Sequence, residues 1–165
     1  MSVFKIRGGK KLQGEIIPQG AKNEALQILS ATLLTEEPVT IHNIPNIVDV
    51  NKLIELLGAL GVKVDKLGQE SYRFTASRID TQFLEGDEYR KKASALRGSV
   101  MLLGPILARI GKATMPKPGG DKIGRRRLDT HFLGFQKLGA KFNFDPAEHL
   151  FTIDGSELRG CYMLL

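Results

Sequence analysis

Four stretches of the chain carry apolar residues at helical spacing, and shorter stretches rich in β-branched residues separate them. The first helix is expected to stop before Pro38, the second to begin from a cap at Asp49, and the third to kink at Gly104-Pro105. The predicted helices cover Ala21–Leu34, Val50–Leu60, Leu96–Ile110 and the stretch from a capping Asp129 to Leu138. The predicted strands cover Gly14–Ile17, Val39–Ile44, Val62–Lys66, Tyr72–Ala76, Ala113–Met115, Lys141–Phe144 and Leu150–Ile153.

The order of these elements occurs twice along the chain, as an internal repeat. Thr40 and Thr114 occupy equivalent strands, and Gly61 and Gly139 occupy equivalent helix ends. The interval from Gly61 to Gly139 is longer by four residues than the interval from Thr40 to Thr114, so the second copy carries an insertion between residues 116 and 127. The repeat predicts an α/β (α+β) fold, with unit one at about 12–77 and unit two at about 88–157.

Residues 158–164 resemble residues 12–18, which predicts the first strand of a third unit at 158–165. The chain is then expected to be the first part of a longer polypeptide. The alternative is that Gly160–Leu165 is a closing strand of unit two.

The composition is that of a globular protein with an excess of positive charge. The 165 residues are 42% apolar and 25% charged, which suffices for one domain with a sizeable core. Neither a membrane span nor a signal peptide is expected from the pattern, and the single cysteine, Cys161, fits a reducing cytoplasm. The net charge of +6 favours an anionic partner, and leaves open nucleic acid, phosphorylated metabolites and anionic membranes.

Two helix starts carry residues suited to anions. The motif GAKN at 20–23 leads into the first helix, where free N–H groups and the helix dipole favour an anion and Lys22 adds a charge. Arg97 follows Asn23 by the same interval that separates the two equivalent strands, so the repeat gives it the matching position in unit two. Taken alone, Lys22 could be a solvated lysine beside a capping Asn23, and Arg97 could pair with an acidic residue at 87 or 88.

The inserted segment, Pro116–Arg127, combines glycine with dense positive charge. Its five cations surround one carboxylate, Asp121, which predicts a cradle for phosphates. The spacing of a Walker loop is absent. A solvated loop and a nucleic-acid patch are the alternatives, although no aromatic residue lies between Lys112 and Thr130 to stack on bases. The five cations are Lys117, Lys122, Arg125, Arg126 and Arg127.

The histidines do not form a metal-binding pattern. None of His42, His131 and His149 has zinc-ligand spacing to another histidine or to cysteine, so no metal site is expected. His131 follows the basic segment and is a candidate ligand contact, with a structural role as the alternative.

Three motifs resemble those of the UDP-N-acetylglucosamine 1-carboxyvinyltransferases. Residues 20–29 read GAKNEALQIL and are similar to the family's GAKN-x-AL element; residues 96–113 read LRGSVMLLGPILARIGKA and are similar to its R-[AG]-S…GPLLAR element. Residues 118–140 read PGGDKIGRRRLDTHFLGFQKLGA and resemble PGGC-x-IG-x-R-P-[VI]-D-x-H…LGA. The sister family that makes enolpyruvylshikimate phosphate shares the repeat, but it typically has GSKS where this chain has GAKN.

The resemblance implies a cytoplasmic enzyme of two similar domains, each an inside-out α/β barrel of three βαβαββ units, with the ligands in the cleft between them. The implied reaction transfers the enolpyruvyl group of phosphoenolpyruvate to the 3-hydroxyl of UDP-N-acetylglucosamine, at the start of peptidoglycan synthesis, without a cofactor. The expected partners are these two substrates and the missing C-terminal portion of the same chain. Nucleic acid and membrane are not expected.

The resemblance also assigns residues. Lys22 and Asn23 match the pair that contacts phosphoenolpyruvate, Arg97 matches an arginine at the ligand anion site, and Arg126 matches the phosphate-binding arginine of a mobile loop. The implied catalytic residues are Lys22 and Asp121. The stretch expected to line the UDP-sugar site is Arg126, Arg127, Leu128, Asp129 and Thr130.

Asp121 stands where most members of this family have cysteine, although a minority carry aspartate. Its implied role is to donate a proton to C3 of phosphoenolpyruvate while the sugar hydroxyl attacks C2. Fosfomycin alkylates the cysteine thiolate in this family, and a carboxylate is a poorer nucleophile, so the full-length protein is expected to be insensitive. A non-catalytic homologue that keeps only the anion site is the alternative.

Overall fold

The computed structural model describes residues 3–119, 124 and 127–164, and its elements follow the repeat. Unit one contains α1 (Lys22–Ala31), a 3₁₀ helix (Thr32–Leu34), β1 (Val39–Ile41), α2 (Val48–Ala59), β2 (Lys63–Lys66) and β3 (Tyr72–Thr75). Two helices connect the units, α3 (Thr81–Glu85) and α4 (Asp87–Ser94). Unit two contains a 3₁₀ helix (Arg97–Leu102), α5 (Leu103–Ile110), β4 (Lys112–Pro116), α6 (Asp129–Lys137), β5 (Lys141–Asp145) and β6 (Leu150–Asp154).

Each unit holds one three-stranded antiparallel sheet, and the two sheets have the same topology. The strand β3 lies between β1 and β2, and β6 lies between β4 and β5. Thr40 is paired with Arg73 in the first sheet, and its equivalent Thr114 is paired with Thr152 in the second. The predicted α/β class and its internal repeat are confirmed by this pairing.

The helices supply most of the apolar core, and they join the two units. Leu29 of α1, Leu53 and Leu57 of α2 and Ile106 of α5 are fully buried. The helix α1 contacts both α2 and the 3₁₀ helix of unit two. Because the units meet through helices, the starts of helices from both units come to lie side by side.

Two predicted strands are absent from the part of the chain that the structure describes. Residues 12–20 contain no strand, contrary to the prediction for Gly14–Ile17, and residues 158–164 contain none, contrary to the predicted first strand of a third unit. Ile16 and Ile17 are 91% and 86% exposed. A strand is stabilised by hydrogen bonds to a neighbouring strand, and no described strand pairs with either segment.

Both predicted aspartate caps are wrong. The helix α2 begins at Val48, so Asp49 lies inside its first turn and its carboxylate is available for another partner. The helix α6 begins at Asp129 itself, with Leu128 in the capping position.

The break in the third predicted helix falls before Gly104-Pro105. The chain changes from 3₁₀ to α geometry between Leu102 and Leu103. Pro105 then sits in the first turn of α5, where its missing N–H removes no bond within that α-helix. The two connecting helices, α3 and α4, were not part of the sequence prediction.

The insertion in unit two shortens α6 at its start. In the register that matches Gly139 to Gly61, Asp129 is equivalent to Asn51, yet α2 begins three residues earlier, at Val48. The helix α6 therefore lacks about one turn that α2 has. Residues 127 and 128 lie just before α6 as irregular backbone, and both line the cleft described in the next subsection.

No single helix among residues 3–119 and 127–164 is both long enough and apolar enough to cross a membrane. One pair of consecutive segments, Asp87–Ser94 and Arg97–Ile110, meets those limits only when it is joined across a bend of 119°.

Candidate anion-binding site

A cleft of about 360 Å³ lies where the starts of four helical segments meet. Two of these segments, α1 and α2, belong to unit one, and two, the 3₁₀ helix and α6, belong to unit two. Each unit of the repeat therefore contributes two helix starts to the cleft. Its lining residues are Lys22, Asn23, Leu26, Gln27, Asp49, Arg97, Gly98, Val100, Met101, Arg127, Leu128 and His131.

The four helical segments that meet at the cleft begin without side-chain caps. In the described structure no side chain caps α1, α2, the 3₁₀ helix of unit two or α6. The first N–H groups of a helix have no partner within that helix, and the helix dipole gives them partial positive charge. Such ends bind phosphate and carboxylate groups.

Side-chain charge adds to this effect. Lys22, Arg97 and Arg127 line the cleft, and Asp49 is the one carboxylate among the described lining residues. The guanidinium of Arg127 also forms an ion pair with the carboxylate of Asp129, at the start of α6. The balance of these groups leaves the cleft positively charged and suited to an anion.

Lys22 is held by a specific partner. Its ammonium nitrogen lies 3.1 Å from Oδ2 of Asp49, in an ion pair whose side chains are 42% and 37% exposed. The pair joins the first turn of α1 to the first turn of α2. It places the ammonium of Lys22 at the edge of the cleft.

The turn before α1 fixes the backbone of Lys22. A Cβ added to Gly20 would lie 2.0 Å from the carbonyl oxygen of Asn43, so that only glycine fits there. Asn43 itself has a φ of 57°, in the left-handed region that asparagine tolerates. The loop after β1 thus packs directly against the turn that precedes α1.

Gly119, near the described start of the inserted segment Pro116–Arg127, also lies close to a backbone carbonyl group. A Cβ added to Gly119 would lie 2.1 Å from the carbonyl oxygen of Ser94, at the end of α4. The chain therefore leaves β4 in direct backbone contact with α4.

The structure brings six of the predicted site residues to one cleft. They are Lys22, Asn23, Arg97, Arg127, Leu128 and His131. Asp129 and Thr130 are not among its lining residues; Asp129 instead begins α6 and pairs with Arg127. Asp121 and Arg126 lie outside the described residues. The catalytic and substrate-binding roles of all these residues stay predictions.

Sequence reasoning missed Asp49 as a site residue. The sequence pattern predicts a helix cap at this position and no contact with a ligand site. The repeat held a usable signal, because Asp49 precedes Arg127 by the same interval that separates Gly61 from Gly139, which makes the two positions equivalent. Asp87 and Glu88, which were considered as partners of Arg97, form ion pairs with Arg90 and Lys92.

Metal-ligating side chains do not cluster in the parts of the chain that the structure covers. No group of three or more histidine, cysteine, aspartate or glutamate residues there could hold a metal ion.

Comparison with known proteins gives a consistent result. A family described as EPSP synthase (3-phosphoshikimate 1-carboxyvinyltransferase) matches residues 6–162. Over all 165 residues the chain is 58% identical to a protein named UDP-N-acetylglucosamine 1-carboxyvinyltransferase from Bacteroides thetaiotaomicron. It is 50% identical to a protein of the same name from Porphyromonas gingivalis and 39% identical to one from Treponema pallidum.

The chain spans 37–38% of the length of these relatives, while the matches cover all of its own length. A solved structure of the enolpyruvyl transferase NikO from Streptomyces tendae superposes with a TM-score of 0.70 at 24% identity. That match covers 92% of this chain and 32% of the other. It supports the fold alone.

Proposed function

The chain belongs to the EPSP synthase (3-phosphoshikimate 1-carboxyvinyltransferase) family, and from that premise we propose that its protein is a UDP-N-acetylglucosamine 1-carboxyvinyltransferase. The proposed reaction moves the enolpyruvyl group of phosphoenolpyruvate to the 3-hydroxyl of UDP-N-acetylglucosamine and releases phosphate. The observation that carries the proposal is the convergence of Lys22, Arg97 and Arg127 on one cleft, in a chain 58% identical to a relative of that name.

The cleft residues have the chemistry that phosphoenolpyruvate requires. This substrate carries a phosphate and a carboxylate on the same carbon atom, C2, so its site needs several cations within a few ångströms. An arginine binds either group through two parallel hydrogen bonds, whereas a lysine supplies a point charge. Lys22 and Arg97, together with Asn23 at the uncapped start of α1, would hold the two anionic groups in a fixed orientation.

The proposed chemistry needs one acid and one base. Asp121 protonates C3 of phosphoenolpyruvate while the sugar oxygen bonds to C2, after the base has taken the hydroxyl proton. Loss of a C3 proton and of phosphate then restores the enol ether. Aspartic acid has an ordinary pKa of about 3.9, so this role requires that bound anions and exclusion of water raise its pKa toward neutrality.

The base and the rest of the cleft would come from a part of the enzyme that this chain does not contain. The described residues line one cleft, and the relatives are more than twice as long as the chain. We therefore assign the activity to the full-length protein, acting in the bacterial cytoplasm on its two substrates.

A second candidate acceptor is 3-phosphoshikimate, because the matching family carries the name of the enzyme that uses it. Phosphate release by the full-length protein separates the candidates when phosphoenolpyruvate is supplied with each acceptor in turn. The proposal expects release with UDP-N-acetylglucosamine and none with 3-phosphoshikimate. Release with neither acceptor would favour a non-catalytic binding protein instead.

The role of Asp121 has its own test. Asp121→Asn keeps the size of the side chain but removes its acidic proton, so turnover by the full-length enzyme should fall by at least about 100-fold. Normal turnover by this variant would exclude Asp121 as the proton donor while leaving the overall reaction intact.

A further inference from the structure

We propose that Asp49 is a positioning residue, which holds the ammonium of Lys22 in the orientation that the enolpyruvyl transfer requires. The inference rests on the proposed function and adds to it a residue that none of the three motifs contains. Asp49 and Lys22 are 27 residues apart in sequence and belong to different helices, yet their charged atoms are 3.1 Å apart at the edge of the anion cleft.

A lysine side chain has four rotatable bonds beyond its Cα, so a free ammonium samples a wide volume of solvent. The carboxylate of Asp49 restricts that motion. Asp49 itself sits in the first turn of α2, where the helix dipole stabilises its negative charge and keeps it available as an acceptor. The pair therefore has a donor and an acceptor that are each fixed by a helix start.

The ion pair is not required to build the folding unit. Half-exposed pairs contribute about 0–1 kcal/mol to stability. Unit two offers an internal comparison, because the equivalents of Lys22 and Asp49 there are Leu96 and Arg127, which cannot form such a pair. Leu96 is 1% exposed, and unit two still builds a sheet with the same strand order. The pair in unit one thus marks a difference that concerns the cleft.

The carboxylate of Asp49 lowers the positive charge of the cleft and repels an anionic ligand, so electrostatic attraction alone does not explain why an aspartate lies there. Its presence is explained if orientation of Lys22 matters more than total positive charge. Orientation acts on the reacting geometry, and its loss reduces turnover more than affinity. Asp49→Asn is therefore expected to lower kcat about tenfold and to change KM for phosphoenolpyruvate less than threefold.

The experiment is a double-mutant cycle in the full-length enzyme, followed by phosphate release from phosphoenolpyruvate and UDP-N-acetylglucosamine. The four proteins are the wild type, Asp49→Asn, Lys22→Ala and the double variant. If Asp49 acts through Lys22, then Asp49→Asn lowers kcat in the wild-type background and has no further effect once Lys22 is alanine. Asp49→Glu, which keeps the charge, should recover part of the lost kcat.

Asp65→Asn is the matched control. Asp65 is also 37% exposed and also forms an ion pair with a lysine, Lys63, at 3.3 Å, but it does not line the cleft. This control should keep wild-type kcat and KM. The inference is overturned if Asp49→Asn behaves like Asp65→Asn, if it increases kcat, or if it has the same effect in both backgrounds.

A failure of the proposed function would look different, because the wild type itself would then release no phosphate. In that case the same cycle is measured with inorganic phosphate by calorimetry. Asp49→Asn should change the Kd for phosphate measurably, by less than threefold, when Lys22 is present and leave it unchanged when Lys22 is alanine. Equal effects in the two backgrounds, or no phosphate binding by the wild type, would overturn the role of Asp49.

Discussion

Arg109 of α5 donates a hydrogen bond to the backbone carbonyl of Leu33 across the boundary between the two units, with 2.8 Å between nitrogen and oxygen. A second nitrogen of its guanidinium donates to the carbonyl of Ala76 at 3.2 Å. Leu33 and Ala76 are fully buried, so these carbonyl groups have little access to water. One arginine thus ties α5 of unit two to the end of the α1 helical run and to the end of β3.

Arg109→Ala is expected to destabilise the full-length protein by roughly 1–3 kcal/mol, because two buried carbonyl groups lose their donor. Arg109→Lys should recover only part of this loss, since a lysine cannot reach both acceptors with a planar fork. Urea unfolding measures the change, with the exposed Arg78→Ala as control. If both arginine-to-alanine variants had the same midpoint, the tie between the units would be of no energetic consequence.

Tyr89 is predicted to make stability fall in alkaline solution. Its ring is 2% exposed, its hydroxyl donates to the carbonyl of Thr114, and burial raises its pKa above the ordinary value of 10.0. Above about pH 10 the unfolded chain releases the phenol proton while the folded chain retains it, so unfolding becomes easier as pH rises. Below that pH the contribution is constant.

The measurement is urea unfolding from pH 8 to pH 11. Wild type should lose up to about 1.4 kcal/mol per pH unit more steeply than Tyr89→Phe above pH 10. Tyr89→Phe should also be about 1 kcal/mol less stable at pH 8, because the Thr114 carbonyl loses its donor. Parallel alkaline slopes for the two proteins would contradict the burial of this hydroxyl.

The repeat predicts two glycine substitutions of unequal cost. Gly61 and Gly139 end equivalent helices with φ of 94° and 100°, so alanine is strained at both. A Cβ at Gly139 would lie 2.5 Å from the backbone oxygen of Glu157, whereas one at Gly61 would lie 3.1 Å from that of Arg78. Gly139→Ala should therefore lower the thermal unfolding midpoint more than Gly61→Ala.

Gly58→Ala is the control for that comparison, because Gly58 lies inside α2 with open space around it. It should leave stability unchanged or raise it by up to about 1 kcal/mol, as alanine favours a helix more than glycine does. A larger loss at Gly61 than at Gly139 would contradict the backbone contact described here.

If the proposed function holds, fosfomycin is expected to leave the full-length protein active, because Asp121 stands at the position where the family resemblance implies a cysteine. A carboxylate is a poor nucleophile toward an epoxide compared with a thiolate. Phosphate release after incubation with the compound measures this, and Asp121→Cys should gain time-dependent inactivation. Rapid inactivation of the wild type, with the adduct on Asp121, would be the opposite result.

The sequence was sufficient for the parts of the fold that depend on local pattern and repetition. The two intervals of the repeat correctly matched Thr40 to Thr114 and Gly61 to Gly139, and both sheets have the same strand order. The failures at Gly14–Ile17 and 158–164 concern strands that need a neighbour. Such a neighbour is a tertiary property, which the alternation of residues does not encode.

The candidate site also combines features that the repeat predicted with features that depend on tertiary packing. The repeat predicted that Lys22 and Arg97 lie at equivalent helix starts, and both line one cleft. The Lys22–Asp49 pair could not be predicted, because it depends on how α1 and α2 are packed together. Asp129 pairs with Arg127 at the start of α6, and its predicted contact with a ligand stays a prediction.

The most direct test of the account is the affinity of the full-length protein for phosphoenolpyruvate, measured by calorimetry for wild type, Lys22→Ala and Arg97→Ala. Lys63→Ala and Arg78→Ala remove the same charges away from the cleft and serve as controls. The shared anion cleft predicts that each cleft variant raises Kd at least about tenfold while each control leaves it unchanged. Cleft variants that bind phosphoenolpyruvate as tightly as their controls would contradict it.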